Sequence, residues 1–324
     1  MSGLQQPKTS SSVASELRDE VVQAHKNPRR VYGYFHFGHY EQDPEHVGPK
    51  DEWVLLDRLT HGGQKKRMVA LFARPKKGKS RFIAGLLPNV AEQVPQGQVI
   101  RVFTFEMSAK TWTKVSAAAI AAIPDPTKID TGELTQEELE RYNVALDYVE
   151  TLPIELYDEA LDYYGIEALV RVKKDENRPK TFLWVLDNFG LVKQNGYGRD
   201  EKNGSVALAN DLQWLCQHVC TGIIIGHLTR MSAGTVPTLE SIALTDQISR
   251  NVDDAFFIHR VWDGYDRPEG LLDDGEPVML IYQSRHTQGG LVWLWWDSKL
   301  ANFRELTSEE IQEIPRPPRK KQRG

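Results

Sequence analysis

Short apolar runs recur along the chain, and the stretches between them show the 3.6-residue spacing of helices. Apolar runs of this length, bounded by polar or turn residues, are typical of strands buried in a sheet. They predict strands at residues 69–72, 98–105, 152–156, 181–186, 222–226, 255–260, 278–282 and 291–296. Helices are predicted at 82–94, 135–150, 164–174 and 207–219. Because helices separate the earlier strands and the last strands are close together, we expect an α/β fold: a mainly parallel twisted sheet flanked by helices, with a late antiparallel edge.

The segment from Met68 to Arg81 joins the first strand to the first helix and carries a phosphate-loop pattern. The spacing G-x-x-x-x-G-K-[ST] is complete except that Ala73 stands at the first glycine position. Gly78 allows backbone N–H groups and a helix N-terminus to face an anion. A basic turn before an ordinary helix is the alternative, but the buried strand in front favours nucleotide binding. The predicted nucleotide-binding residues are Arg74, Pro75, Lys76, Lys77, Gly78, Lys79, Ser80 and Arg81.

Two acidic residues follow predicted strands and are candidates for catalysis and metal binding. Glu106 comes directly after the strand at 98–105, where a carboxylate points to the ligand crevice and can polarise a water molecule. Asp187 ends the strand at 181–186 in a Walker B pattern and, with Ser80, is predicted to hold Mg²⁺. Each residue also has an ordinary alternative, since acidic residues are common after strands and near helix N-termini.

The composition is that of a globular protein, with 40% hydrophobic and 26% charged residues. A net charge of −5 excludes a uniformly basic, DNA-coating protein but leaves room for local basic loops. No apolar run approaches the roughly 20 residues of a membrane span, and the N-terminus lacks an apolar signal core, so we expect a cytoplasmic protein. The two cysteines, Cys216 and Cys220, flank His218 on a predicted helix, where buried packing is favoured over metal binding.

Basic residues near two loops are candidates for nucleic-acid contacts. The Gly-rich segment 193–204 combines lysine, arginine and tyrosine, which suits a nucleic-acid backbone, although a solvated surface loop is equally compatible with it. The candidate DNA-binding residues are Lys193, Arg199, Lys202 and Arg230. Residues 1–50 are predicted to be an N-terminal extension with a disordered start, a short helix and an aromatic, His-rich segment. Residues 51–306 form the predicted ATPase domain, and 307–324 a basic, Pro-rich disordered tail.

An ordered set of motifs resembles the RecA-type, superfamily 4 ATPase domain of DnaB-like replicative helicases, including phage and plasmid versions. The resemblance covers roughly residues 53–305. It rests on VALFARPKKGKS, which is similar to the family's A-R-P-x-x-G-K-[ST] loop, and on FTFEMSAK, WVLDNFGLV, IIIGHLTR and IYQSRHTQGG. Ala73 is therefore a family trait. About fifty residues precede the domain, so we expect the family's N-terminal collar to be absent.

The resemblance implies roles for individual residues. Lys79 would bind phosphate, Glu106 would be the catalytic base, and His227 would sense the γ-phosphate. Arg285 would be an arginine finger reaching a neighbouring subunit, although Gln283 replaces the lysine that usually precedes it in the finger motif. The family's central DNA loop is poorly matched at Thr245, Asp246 and Gln247. The resemblance agrees with the prediction that Ser80 and Asp187 hold Mg²⁺.

The function that this resemblance implies is an ATP-dependent DNA helicase, a ring-forming motor that moves on single-stranded DNA during replication. Its cofactors would be ATP and Mg²⁺. Its partners would be single-stranded DNA, further copies of itself in a ring, most often a hexamer, and primase or other replisome proteins. Two alternatives stay open at the level of sequence: a recombinase- or repair-like DNA-dependent ATPase, and an ATP-gated DNA-binding or loading scaffold without unwinding activity.

Overall fold

The computed structural model describes residues 37, 56, 59–60, 62–123, 125–173, 177–194, 201–228, 234–242, 246–263, 265, 275–297 and 302–314. The strands in these residues are β1 (Met68–Ala73), β2 (Gln98–Thr104), β3 (Ile154–Tyr157), β4 (Lys180–Asp187), β5 (Gly222–His227), β6 (Asp254–Arg260), β7 (Gly275–Ser284), β8 (Gly290–Asp297) and β9 (Asn302–Glu305). The helices are α1 (Lys79–Ala91), α2 (Ala109–Ile120), α3 (Thr127–Thr131), α4 (Gln136–Thr151), α5 (Tyr163–Val170), α6 (Glu201–His218), α7 (Asp246–Asn251) and α8 (Ser308–Glu313).

These strands form one sheet in the order β3-β2-β4-β5-β1-β6-β7-β8-β9. The first six in this order pair in parallel, and β6 through β9 pair antiparallel. The α/β architecture with a mainly parallel sheet and a late antiparallel edge is confirmed. In an open sheet of this kind the carboxyl ends of the parallel strands lie at one edge, where ligands bind.

The central strands are buried on both faces, as their continuous apolar sequences predict. In β1, Val69 and Leu71 face one core and Met68, Ala70 and Phe72 face the other. The first core is closed mainly by α1 and α2, and the second by α5 and α6. A smaller apolar cluster between α2 and α4 extends the first layer. The sheet is therefore packed on both faces, and this packing positions the loops at its carboxyl edge.

The predicted helix at 135–150 is confirmed as α4, and it begins with a capping box at Thr135. The Glu138 N–H donates to Thr135 Oγ1 at 3.2 Å, and the Thr135 N–H donates to Glu138 Oε2 at 2.8 Å. These two bonds satisfy two of the N–H groups that a helix start leaves without intrahelical partners.

The C-terminal part of the chain differs from the sequence-based prediction. Strand β9 has no counterpart in that prediction, because four residues with only one large apolar side chain give too little pattern. Residues 308–313 fall in the predicted disordered tail but form α8, which begins with a capping box between Thr307 and Glu310. The rest of that tail, from residue 315, and the predicted N-terminal extension, apart from the buried Phe37, lie outside the described residues.

Candidate nucleotide-binding site

The phosphate loop lies at the carboxyl end of β1, between the ends of β5 and β6. Helix α1 begins at Lys79, and its N-cap, Gly78, has a left-handed backbone with φ 91°. The Phe82 N–H donates to the Gly78 carbonyl at 2.8 Å, which closes the first helical turn. A left-handed residue in front of a helix turns consecutive N–H groups toward one point and creates an anion site.

Ala73 occupies the first glycine position of the motif without difficulty. It is the last residue of β1, is fully buried, and pairs with His227 and Ile258 in the neighbouring strands. Its φ is not positive, so its position does not require glycine. The departure from the usual motif is therefore compatible with an intact loop.

Aromatic side chains from the antiparallel edge cover the back of the phosphate loop. A Cβ atom at Gly78 would lie 2.9 Å from the ring of Phe303 in β9 and 3.6 Å from Trp296 in β8. The Phe303 ring also packs edge-on against Phe82 of α1, with 5.5 Å between the ring centroids. The last strand of the sheet thus supports the phosphate loop directly.

Side chains from four elements meet in front of this loop. Lys79 Nζ lies 3.2 Å from His227 Nδ1 at the end of β5. Glu106 follows β2, and its Oε2 lies 3.9 Å from His227 Nε2. Asn188 follows β4 and donates to Glu106 Oε2 at 2.7 Å, while its Nδ2 lies 3.4 Å from His227 Nε2. The structure thus brings the predicted Lys79, Glu106 and His227 together, with Asp187 beside them.

Burial and charge tune the ionisable groups of this cluster. Burial lowers the pKa of Lys79, and the charges of Glu106 and Asp187 oppose that shift. Burial and the charge of Lys79 lower the pKa of His227, so its imidazole is neutral at pH 7. Burial raises the pKa of Asp187 to about 6; the hydrogen bond from Ser80 and the charge of Lys79 lower it, and the charge of Glu106 raises it. A cation bound beside this buried carboxylate would favour its ionised form and oppose the rise in pKa.

The residues present fit a bound Mg²⁺ ion. Asp187 is 3% exposed, and its Oδ1 atom has no hydrogen-bond partner among the described residues. Buried carboxylate oxygens are normally paired, and an unpaired one beside the Ser80 hydroxyl suits a hard cation that prefers oxygen ligands. The described parts of the chain contain no group of three or more His, Cys, Asp or Glu residues placed to hold a metal, so the proposed ligands are one carboxylate and one hydroxyl.

Two cations of the phosphate loop contact a protein carboxylate. Arg74 Nη1 and Lys77 Nζ lie 2.5 and 2.8 Å from the carboxylate of Asp263, just after β6. Burial alone would raise the pKa of Asp263, but these two cations lower it overall. The sequence pattern places Arg74 and Lys77 among the nucleotide-binding residues and gives no sign of Asp263.

The remaining loop residues differ in exposure. Pro75 and Lys76 are exposed, and Lys76 has a left-handed backbone with φ 60°. Arg81 is partly buried, and burial lowers its pKa. Their assignment to nucleotide binding stays a prediction.

Arg285 lies far from the phosphate loop of its own chain. It follows the carboxyl end of β7, where Ser284 pairs with Asp254, the first residue of β6. The phosphate loop lies at the other end of the parallel strands, and the seven residues of β6 span about 20 Å at ~3.3 Å per residue. The exposed Arg285 side chain contacts the Ser249 carbonyl at 3.5 Å.

The candidate DNA-binding residues are only partly placed. Lys193 is exposed, and its N–H donates to the Leu161 carbonyl at 2.9 Å. Arg199 and Arg230 lie outside the described residues, and Lys202 lies in α6 with a side chain that is not described. Of the poorly matched central loop, Gln247 is described and donates to Asn210 Oδ1 at 2.9 Å.

Asn188 is a site residue that the sequence pattern does not identify. The available signal is its position directly after the Walker B aspartate, at the same sheet edge as Glu106 and His227. An asparagine after a strand is usually explained by a turn or a helix N-cap, and nothing in the local sequence distinguishes these roles.

The chain belongs to the family described as the DnaB-like helicase C terminal domain, which matches residues 49–305. Relatives include the replicative DNA helicase DnaB of Geobacillus stearothermophilus, 23% identical over 256 residues, and the replicative DNA helicase DnaC of Bacillus subtilis strain 168, 23% identical over 265 residues. These alignments cover 77% and 79% of this chain, and 54% and 55% of the relatives. The chain therefore spans about half the length of these curated relatives.

Solved structures show the same fold. One is an ATPase domain that superposes with a TM-score of 0.72 at 20% identity, covering 90% of this chain and 99% of that one. A DnaB-like replicative helicase, solved in a study of its interactions with primase, superposes with a TM-score of 0.70 at 19% identity, covering 93% of this chain and 73% of that one. The expected RecA-type fold is confirmed.

Among the described residues, no helix is both long and apolar enough to cross a membrane.

Proposed function

We propose that this chain is the ATP-hydrolysing motor of a replicative DNA helicase. The observation that carries the proposal is the convergence of Lys79, Glu106, Asp187 and His227 at the carboxyl edge of the sheet, in front of the phosphate loop. A neutral sensor, a cation and two carboxylates around an anion site provide the parts needed for phosphoryl transfer to water. The partners we infer are single-stranded DNA, further copies of the chain in a ring, and primase or other replisome proteins, acting in the cell interior.

The residues divide the chemical work. Lys79 binds the terminal phosphates of ATP, and Glu106 orients and polarises the attacking water. The water transfers a proton to the carboxylate as its oxygen bonds to the γ-phosphorus, while the bond to the β–γ bridging oxygen breaks and ADP leaves. His227, adjacent to both, donates a hydrogen bond to the γ-phosphate in its neutral form. Ser80 and Asp187 would hold Mg²⁺, which neutralises negative charge on the phosphate oxygens when it is bound.

The test is ATP hydrolysis with and without an oligo-dT strand, followed by unwinding of a forked duplex. We expect single-stranded DNA to stimulate hydrolysis and Glu106→Gln to lower kcat by roughly 10² or more, because the amide cannot accept the proton of water. ATP binding should be retained. Glu140→Gln, an exposed position on α4, is the matched control and should hydrolyse ATP like the wild type.

Two outcomes would count against the proposal. A wild-type protein whose ATPase ignores single-stranded DNA would argue against a DNA motor. DNA-stimulated hydrolysis without any strand separation would instead favour a DNA-dependent ATPase that remodels or loads without unwinding.

A further inference from the structure

Asn188 occupies the N-cap position of a short 3₁₀ helix, Phe189–Leu191, yet its side chain makes no capping hydrogen bond. Asparagine is favoured at this position because its side-chain oxygen accepts from an N–H of the first turn. Here the carboxamide points away from that turn and into the nucleotide site. The local backbone therefore does not explain this side chain.

The carboxamide instead contacts two residues of the site. Its Nδ2 atom donates to Glu106 Oε2 at 2.7 Å and lies 3.4 Å from His227 Nε2. A carboxylate only accepts hydrogen bonds, so the NH₂ end of the amide must face Glu106. Asn188 is 5% exposed, and a buried amide bonded to an ionised group holds its geometry more firmly than one in water.

Glu106 needs such a support. Its side chain is 43% exposed. Within the described part of the chain, the bond from Asn188 is the only hydrogen bond to its carboxylate. An exposed glutamate without a fixed partner samples several rotamers, and a base displaced by about 1 Å can cost roughly 10² in rate.

We propose that Asn188 is a positioning residue that fixes the Glu106 carboxylate for its role as base. The idea rests on the proposed function, because it matters only if Glu106 acts on the water that attacks ATP. In this role Asn188 contributes to kcat and leaves ATP binding to the phosphate loop.

The experiment measures steady-state ATPase kinetics of Asn188→Ala, Asn188→Asp, Glu106→Gln and the double variant Asn188→Ala with Glu106→Gln, using radiolabelled ATP for the slow variants. Asn188→Ala should lower kcat by about 10- to 100-fold while KM for ATP stays within about twofold. Asn188→Asp has the same shape without the N–H donor and should lose rate to a similar extent. It also covers the case in which the alanine variant fails to fold.

The double variant separates positioning from a general structural effect. If Asn188 acts through Glu106, the double variant should be no slower than Glu106→Gln alone, because effects that share one pathway are not additive. Asn89→Ala is the control: Asn89 is also buried, at 2% exposure, and its amide donates to the Phe37 carbonyl at 3.3 Å, remote from the site. Its kcat should match the wild type.

The outcomes are distinct. Wild-type kcat in folded Asn188→Ala or Asn188→Asp would overturn the inference, and so would a full additional loss in the double variant. Normal hydrolysis by Glu106→Gln would instead remove the base from the proposed function itself. If the Asn188 and Glu106 variants both lose rate, KM is unchanged and the double variant is no slower than Glu106→Gln, the result supports both the proposed function and the positioning role of Asn188.

Discussion

Gly78 is the residue at which the phosphate loop, the first helix and the last strand meet. Its left-handed backbone is unfavourable for residues with a Cβ atom, at roughly 1–2 kcal/mol. A Cβ atom at this position would also press on Phe303 at 2.9 Å. Both effects act at the anion site, because the left-handed backbone aims the N–H groups of the loop and Phe303 supports the loop from behind.

Gly78→Ala should therefore lose ATP binding as well as stability. We expect a decrease of about 1–3 kcal/mol in the free energy of unfolding and at least a tenfold weaker affinity for ATP. Urea denaturation and titration with a fluorescent ATP analogue measure the two quantities. Gly132→Ala is the control, since Gly132 has φ 73° and no atom lies within 4 Å of the place that its Cβ atom would take.

Gly132→Ala should show the backbone cost alone and bind ATP normally. Equal losses of affinity in both variants would show that the loss at Gly78 reflects a general decrease in stability and not a change at the anion site.

At the scale of single residues, the sequence indicates those whose proposed roles follow from a motif. Lys79, Ser80, Glu106 and Asp187 occupy fixed positions relative to strand ends, so a one-dimensional pattern is enough. Asn188 and Asp263 escape such a pattern because their contacts, with Glu106 and with the phosphate-loop cations, join parts of the chain that only the folded sheet brings together.

Strand β6 carries a buried histidine, His259, close to the charged side chains of the phosphate loop. His259 is 6% exposed, and the groups that influence it are Arg74 and Lys77 of the loop and Asp263 after the strand. Burial, with the charges of Arg74 and Lys77, lowers the pKa of His259 from 6.5 to about 4, whereas Asp263 acts in the opposite direction. The folded protein therefore keeps this imidazole neutral under mildly acidic conditions.

This histidine should make the protein less stable as the pH falls from 6.5 toward 4. In that window the unfolded chain binds a proton that the folded chain excludes, so protonation favours unfolding. At pH 5 the contribution is about 2 kcal/mol relative to pH 7. Urea denaturation of the wild type and His259→Gln at both pH values should show the wild type losing more stability by roughly that amount.

Equal pH dependence in the two proteins would contradict the prediction. Comparison with the variant is needed because Asp187 has a raised pKa and contributes with the opposite sign between pH 6 and 4.

The elements themselves are largely predictable from sequence. The buried parallel strands read as continuous apolar runs, and their predicted centres match β1 to β8. Strand β9 is not predictable in this way, because its place is set by pairing with β8 and by the fit of Phe303 against Gly78, not by a local pattern.

The whole molecule has its phosphate loop and Arg285 at opposite ends of the sheet strands. An arginine about 20 Å from its own anion site cannot reach the nucleotide bound there. If Arg285 is a finger, it must serve a neighbouring copy, as an assembled ring would allow. The order and direction of the strands separate the phosphate loop from Arg285. The sequence indicates this order only in outline.

Arg285→Ala should lower the ATPase rate by roughly 10³ or more, because an arginine at the γ-phosphate neutralises charge that develops in the transition state. Lys79→Ala should also be inactive, because it lacks the lysine that binds the terminal phosphates. Mixing the two variant proteins should restore part of the ATPase activity. In mixed assemblies, some interfaces join an intact phosphate loop to an intact Arg285. Arg304→Ala, an exposed arginine paired with Glu310, should be unaffected.

Full activity of Arg285→Ala would exclude the finger. The same conclusion would follow if the wild type, diluted to a monomer, kept its specific rate, since a monomer has no neighbour.

Because β9 supports the phosphate loop, the loop should lack this support while the chain is still being synthesised. Phe303 covers Gly78, the Asn302 side chain lies 2.8 Å from where a Cβ atom of Gly85 would be, and Glu305 Oε1 accepts from the Leu56 N–H at 2.7 Å. A ribosome synthesises Gly78 about 225 residues before Phe303, roughly 10 to 45 s earlier at usual elongation rates. During that interval the growing chain contains the complete loop sequence without its support. We expect ribosome-bound chains stalled before residue 302 to be unable to retain ATP, so that nascent protein engages nucleotide only once translation of the domain is complete.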